Sequence, residues 1–422
     1  MSAPKTEITA PGDAQEAAEA LTLLEALARA PAAAALVVAA LKGWPGEDLK
    51  ALRLAHPQLR DAVGEATIKL RVIVRHGAAA VRPPTPRRWP CLKELNVFSH
   101  DLAAVLEAIR AGAWGCLHAL RLGDSRWPAT LDVPAARALA AALRQMPALR
   151  ALKLEGVELP DAAAQELFRA SSAAGAPQLR GLTIWSAGLS PAAARMLVSA
   201  GWPLQELDLR DNRGLGAAGL AVLAAAPTFA LRRLKLVYCG LDAAALLSVA
   251  NAPWPLEELV LSGNDFSAAA AGPALAALAR HHRLRGLDVG QCQMSAAGFK
   301  ALVEAHWPAL TYLRARGATV EFDGPRALGA AAFAGFPALK ELDLSGVALG
   351  EAGARLLASR RWPRLRELNL FNCRIGDAGL AAFARGAWPA LRVLYLRGND
   401  LGAALALDDT LRWAPALVDL HV

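Results

Sequence analysis

The chain has 422 residues, 55% hydrophobic and 20% charged, with a formal net charge of +8; that balance excludes a disordered chain, which needs low hydrophobicity and high net charge. At roughly 150 residues per domain the length is a prior for about three domains, and the mild basic excess allows an acidic partner without requiring nucleic acid. Five cysteines with no Cys-x-x-Cys pair argue against a disulfide framework and fit a reducing compartment.

In chain order, residues 1–15 combine Pro, Gly and charged residues and read as a disordered tail. Glu7, Asp13, Glu16 and Glu19 argue against a secretory signal or transit peptide. Residues 16–75 take on a helical pattern, with Leu21, Leu24, Leu27, Val37 and Leu41 among its apolar positions and a break at Gly43-Trp44-Pro45-Gly46. The most apolar stretch, residues 26–41, carries Arg29 and is shorter than the roughly 20 residues a membrane span requires. Leu49–Val63 resembles the second half of an F-box, L-x-x-L-R-x-V-C-x-x-W/F-R-x-x-V. Ala55-His56 stand at the Val-Cys pair and Leu59 at the aromatic, and the opening Leu-Pro is absent. This resemblance implies a substrate receptor of a cullin-based ubiquitin ligase, with Leu52, Leu54, Leu59 and Val63 facing a Skp-type adaptor. The other reading of the same segment is a helical N-terminal cap, the unit that covers a solenoid's first open core. Residues 76–90, with Pro83, Pro84, Pro86 and Arg87-Arg88, read as a linker or an irregular first repeat.

From residue 91 to 422 the chain repeats itself. The pattern L-x-x-L-x-L begins at Leu92, Leu117, Leu149, Leu179, Leu204, Leu231, Leu256, Leu284, Leu310, Leu339, Leu365, Leu391 and Leu417, at spacings of 25 to 32 residues. The alternating leucines point to one face of a short strand. Eight residues after the first Leu stands Asn212, Cys239, Asn264, Cys292, Cys373 or Asn399 in six repeats, a side chain able to bond the backbone of the turn leaving the strand. Two to three residues later an apolar residue recurs (Leu189, Leu215, Leu241, Phe266, Met294, Leu349, Ile375), and four after that a small one: Ala163, Ala193, Gly219, Ala245, Ala270, Gly298, Gly324, Gly353 or Gly379. That spacing is one helical turn and leads into a Leu/Phe/Ala-rich helix. Trp89, Trp114, Trp202, Trp254, Trp307, Trp362, Trp388 and Trp413 precede repeat starts, usually with Pro next. Such tryptophans are core seals at helix ends rather than a stacking platform.

A period near 27 residues with this leucine core resembles leucine-rich repeats of the ribonuclease-inhibitor-like type. The resemblance covers about twelve to thirteen repeats. It implies a right-handed α/β solenoid, a horseshoe with a concave parallel sheet and convex helices, acting as a non-catalytic scaffold that binds a protein partner on the concave face. The exposed strand positions there are Lys153, Trp185, Arg210, Lys235, Tyr238, Tyr312, Arg314, Arg316, Phe371, Tyr395 and Arg397, rich in the residue types that dominate interface energy. Asp208, Asp288 and Asp343 interleave them, a mixed sign that argues against nucleic acid. Repeats this rich in Ala and Trp-Pro resemble those of green algae, where some such proteins sit in the ciliary axoneme; the expected location is cytoplasmic or axonemal.

Chemistry finds little foothold. Gly214-x-Gly216-x-x-Gly219 spells a dinucleotide fingerprint after a strand and before a helix. Gly219, however, occupies the small repeat position, and no acidic residue closes a second strand. The eight histidines are scattered, no cluster has metal-ligand spacing, and no catalytic triad or P-loop stands out. No enzyme activity, cofactor or metal is expected. The residue after each first Leu is Lys93, Arg150, Arg180, Arg232, Arg285, Lys340, Arg366 or Arg392, with Glu94, Glu206, Glu258, Glu341 or Glu367 close by. This reads as a solvated strand edge with weak ion pairs or, less simply, a phosphate- or acid-binding stripe. The last strand, Leu417–Val422, has no turn or helix after it, and the expectation is either self-association through its open edge or a sequence truncated at that end.

Overall fold

The computed structural model describes residues 69–74, 92–99, 102, 106, 109–110, 114–123, 129–171, 177–318, 328–402 and 413–421. The tail, the F-box-like segment with Leu52, Leu54, Leu59 and Val63, the linker, Trp89 and Gly324 lie outside them.

Among the described residues one parallel sheet of fourteen strands runs in strict sequence order. Its strands are Lys69–Val74, Glu94–Ser99, Ala119–Leu122, Ala151–Glu155, Gly181–Trp185, Glu206–Asp208 and Arg233–Lys235, then Glu258–Val260, Gly286–Asp288, Tyr312–Arg314, Glu341–Asp343, Glu367–Asn369, Val393–Tyr395 and Asp419–His421, here β1 to β14. Among the described residues nine helices with given bounds follow strands on the other layer: Val133–Leu143, Asp161–Ser171, Pro191–Ser199, Gly216–Ala224, Ala243–Asn251, Ala271–Ala277, Ala296–Glu304, Gly350–Ala358 and Gly376–Phe383. The result is an α/β solenoid with a concave sheet and convex helices.

Register follows from the leucines. Leu207 pairs with Leu234, Leu234 with Leu259 and Leu342 with Leu368, so every repeat places its leucines over those of the one before. From Leu92 to Leu396 these leucines are buried in a single continuous core, and Leu417 and Leu420 of the last repeat pack against it partly buried. The sheet starts one strand before the leucine pattern does. β1 pairs with β2 with Leu70 opposite Leu95 and Val72 opposite Val97, inside a segment expected to belong to a helical cap. Thr67 stands where the pattern requires Leu, which hides the unit from a leucine search.

The ladder of turn residues forms as expected. Asn264 Nδ2 donates to the carbonyls of Leu236 and Leu261 at 2.7 and 2.6 Å, and its Oδ1 accepts from the amides of Cys239 and Leu241 at 3.0 and 3.1 Å. Asn212 and Asn399 repeat that geometry. Cys239, Cys292 and Cys373 each point Sγ at a carbonyl of the preceding repeat, of Leu209, Leu261 and Leu344. These side chains satisfy buried turn groups that water cannot reach.

The helix layer is held by two devices. Asp132, Ser190, Asp242 and Ser295 accept amide hydrogen bonds as N-caps. The indole N–H of Trp307, Trp362 and Trp388 donates at 2.9 to 3.1 Å to the carbonyl five residues upstream, at a helix C-terminus, where carbonyls lack intrahelical partners. Two repeats depart from strand-plus-full-helix. Ala270 is exposed and precedes a helix that starts at Ala271, because the Asp265–Ser267 turn takes up the intervening residues. In the Leu310 repeat, residues 328–338 form turns, with no α-helix among its described residues.

Candidate concave-face site

The turn that leaves each strand fixes what the concave face can present. In ten consecutive repeats the eighth residue has a positive φ: Gly156, Ser186, Asp211, Tyr238, Gly263, Gln291, Gly317, Gly346, Asn372 and Gly398. Five of these are glycine, for which left-handed backbone is free of steric cost. Tyr238, at φ 52°, is the bulkiest residue in the series, and a side chain of that size in this region is under strain.

The strain aims its ring. Tyr238 lies across the neighbouring repeat, where a Cβ at Gly263 would overlap the ring. Its hydroxyl reaches Oε1 of Gln291 at 2.6 Å, 53 residues and two repeats away. Tyr312 lies in the opposite direction, over Gly286, where a Cβ would likewise overlap it. Its hydroxyl bonds Glu258; burial, and then the charge of Glu258, push its pKa above the ordinary tyrosine value. The two rings thus bracket the strands β8 and β9 from either side. Around them Lys235 pairs with Glu258 at 3.7 Å, and Arg314 stacks on Tyr312 at 5.0 Å and pairs with Glu341 at 3.6 Å. Asp288 accepts from Ser262 Oγ at 2.7 Å and from the amide of Gly290 at 2.8 Å.

A second cluster adjoins the bracket. Trp185 Nε1 donates to Asp211 at 2.5 Å, and the Arg210 guanidinium lies 5.2 Å from the Trp185 ring centroid. Asp208 holds that guanidinium at 2.9 Å. The arginine pKa is raised: burial opposes the shift, and the hydrogen bond and charge of Asp208 outweigh it.

Of the residues expected on this face, Trp185, Arg210, Lys235, Tyr238, Tyr312 and Arg314 are gathered over six neighbouring strands, β5 to β10. Lys153 stands exposed at the β4 end, and Arg316 is exposed beside Gly290. Phe371, 46% exposed, and Arg397 lie towards the other end, where Tyr395 stacks on His421 with ring centroids 4.5 Å apart. Sequence reasoning missed Asp211, Gln291, Gly263 and Gly286, and placed Glu258 only as an acid beside the cation row. A glycine at the eighth position right after a tyrosine at the same position was the available signal.

Several chemistry-bearing side chains among the described residues are taken up by the repeat framework. Burial pushes the Cys239, Cys292 and Cys373 thiols up to about 12, far from a reactive thiolate. Among the described residues no group of His, Cys, Asp and Glu could hold a metal ion, and no helix is long and apolar enough to cross a membrane. Gly216 is a repeat residue, not a phosphate cradle: its amide donates to the Cys239 carbonyl, as Gly350 and Gly376 donate to those of Cys373 and Asn399. The His281 ring lies between the carbonyls of Val249 and Trp254.

Comparison with known proteins agrees with this architecture. Residues 203–224 and 364–384 match the family described as Leucine Rich repeat. Pig (Sus scrofa) ribonuclease inhibitor is 33% identical over 231 residues, which cover 51% of this chain and 49% of the relative. The repeats are leucine-rich repeats similar to those of ribonuclease inhibitor. The chain spans about half the length of that curated relative. Two solved structures are similar to this chain. The yeast complex of Rad7 and Elc1 gives a TM-score of 0.49 at 15% identity, covering 94% of this chain and 96% of that one. The complex of TLR13 with ssRNA13 gives 0.41 at 16%, covering 86% and 60%.

Proposed function

We propose that the protein is a non-catalytic recognition scaffold whose protein partner binds the concave face over β5 to β10. The observation that carries this reading is Tyr238. A strained aromatic at a position that five other repeats fill with glycine and four with smaller polar residues does nothing for the turn itself, and strain of this kind concentrates at functional sites. Around it, Trp185, Arg210, Tyr312 and Arg314 are already fixed by ion pairs and hydrogen bonds. A paratope ordered in advance has less side-chain entropy to lose on binding. The partner is identified by affinity purification of the intact protein followed by mass spectrometry. Replacing Trp185, Arg210, Tyr238 and Arg316 together by Ala abolishes its capture while the circular dichroism is retained. Undiminished capture moves the site to the helical face or the N-terminal region.

The F-box-like segment Leu49–Val63 supports a second reading, a substrate receptor of a cullin-based ubiquitin ligase. Leu52, Leu54, Leu59 and Val63 then meet a Skp-type adaptor, and the repeats hold the substrate. Co-purification of adaptor and cullin supports it; absence of both from a deep pull-down ends it. The described cysteines, Cys116, Cys239, Cys292 and Cys373, are free thiols, which supports a reducing, intracellular setting.

A further inference from the structure

The +8 excess of the chain is not spread evenly over the solenoid. On the concave face acids and bases alternate and pair. At the start of the strands most of the bases do not. The residue after each first leucine donates its amide to the carbonyl of its counterpart one repeat earlier, as in Arg366 to Lys340 at 2.7 Å and Arg392 to Arg366 at 2.8 Å. Side chains at this position therefore stand in one row along the rim, at the strand pitch of about 4.8 Å. The row holds the eight cations named from the sequence, all exposed, and a single acid, Glu257. Arg232 pairs with Glu257, and Arg150 bonds the carbonyls of Pro147 and Leu149. Arg180, Arg285, Lys340, Arg366 and Arg392 make no ion pair among the described residues. The expected neutralisation by neighbouring glutamates is thus absent from most of the rim. Lys340, Arg366 and Arg392 sit on three adjacent strands, and exposed Arg361 and Arg364 precede the middle one.

We propose that this rim docks the acidic face of a partner's α-helix. A helix carrying carboxylates at i, i+4 and i+7 presents one charge about every 4.5 to 6 Å along its axis, close to the pitch of the row. A nucleic acid fits less well. Exposed aromatics, on which single-stranded bases stack, lie on the concave face and not on the rim. The rim is a surface separate from the concave site and stands or falls independently of it.

The test uses the full chain and three probes: an 18-residue peptide with glutamates on one helical face, its scrambled isomer of equal charge, and a 20-base-pair DNA duplex. The one-face peptide binds about tenfold more tightly than the scramble, with an affinity that falls as salt rises. K340E/R366E/R392E loses that binding by tenfold or more. R144E/R195E/R385E, the same charge change at the helix layer, retains it, as does the concave-face quadruple variant. Equal binding of the two peptides, equal loss in both triple variants, or tighter binding of the duplex would overturn the proposal, the last by making the rim a nucleic-acid track.

Discussion

Tyr238 shows how one residue's backbone can be read against its neighbours. At an ordinary extended position, glycine is less stable than alanine by about 0.5–1 kcal/mol, since it frees the unfolded chain. At φ 52° the order reverses, because alanine keeps the left-handed penalty of about 1–2 kcal/mol and glycine does not. Tyr238→Gly is therefore more stable than Tyr238→Ala by about 1 kcal/mol. Both lose the ring and the bond to Gln291, so both lose the partner. Urea unfolding of the two variants checks the order; Ala above Gly would mean that the turn is not left-handed in solution. This residue also marks where sequence reading stops. That Tyr238 and Tyr312 lie on the concave face follows from repeat position alone. That Gly263 and Gly286 make room for their rings, and that each hydroxyl reaches past one repeat to the next, depends on side-chain direction across strands. No single-repeat pattern encodes it.

Each element was legible in proportion to how far its repeat kept to the leucine spacing. The thirteen leucine matches became strands β2 to β14, while β1, with Thr67 in the first-leucine place, did not announce itself. The regular tryptophans were legible as helix-end seals, but their hydrogen bonds were not, and these divide them into two kinds. The Trp307 N–H meets the Leu302 carbonyl at 2.9 Å. The N–H groups of Trp202 and Trp254 are buried with no acceptor among the described residues. Trp→Phe removes similar apolar volume at either kind of site. At Trp307 it also leaves a helix-terminal carbonyl unsatisfied, while at Trp202 it removes an unpaired donor. Trp307→Phe should thus cost about 1–3 kcal/mol more than Trp202→Phe. Thermal unfolding of the two single variants measures the difference, and equal losses would show that water serves both indoles.

At the scale of the molecule, stability is a chain of repeats, each resting on its neighbours. The strands pair only with the preceding and following strand, and the Asn and Cys ladder reaches only one repeat back. The tyrosine bracket is an exception, since Tyr238 to Gln291 and Tyr312 to Glu258 each skip a repeat. The Leu256 repeat lies inside the first span, holds the Glu258 end of the second and stands in the middle of the sheet. Leu261 there is fully buried, and its carbonyl accepts from both Asn264 and Cys292. Leu261→Asp places an unpaired carboxylate in that core, a change worth several kcal/mol. A globular domain would lose stability as a whole and keep a single transition. A solenoid should instead lose its coupling at this repeat, so that the flanking arrays unfold separately. The expected result is two urea transitions, or one of clearly lower slope, since each array exposes less surface. Tryptophan emission covers both sides, with Trp114 and Trp202 before the break and Trp307, Trp362 and Trp388 after it. One transition of unchanged slope would mean that coupling runs beyond nearest neighbours, with the tyrosine bracket as the place to look for it.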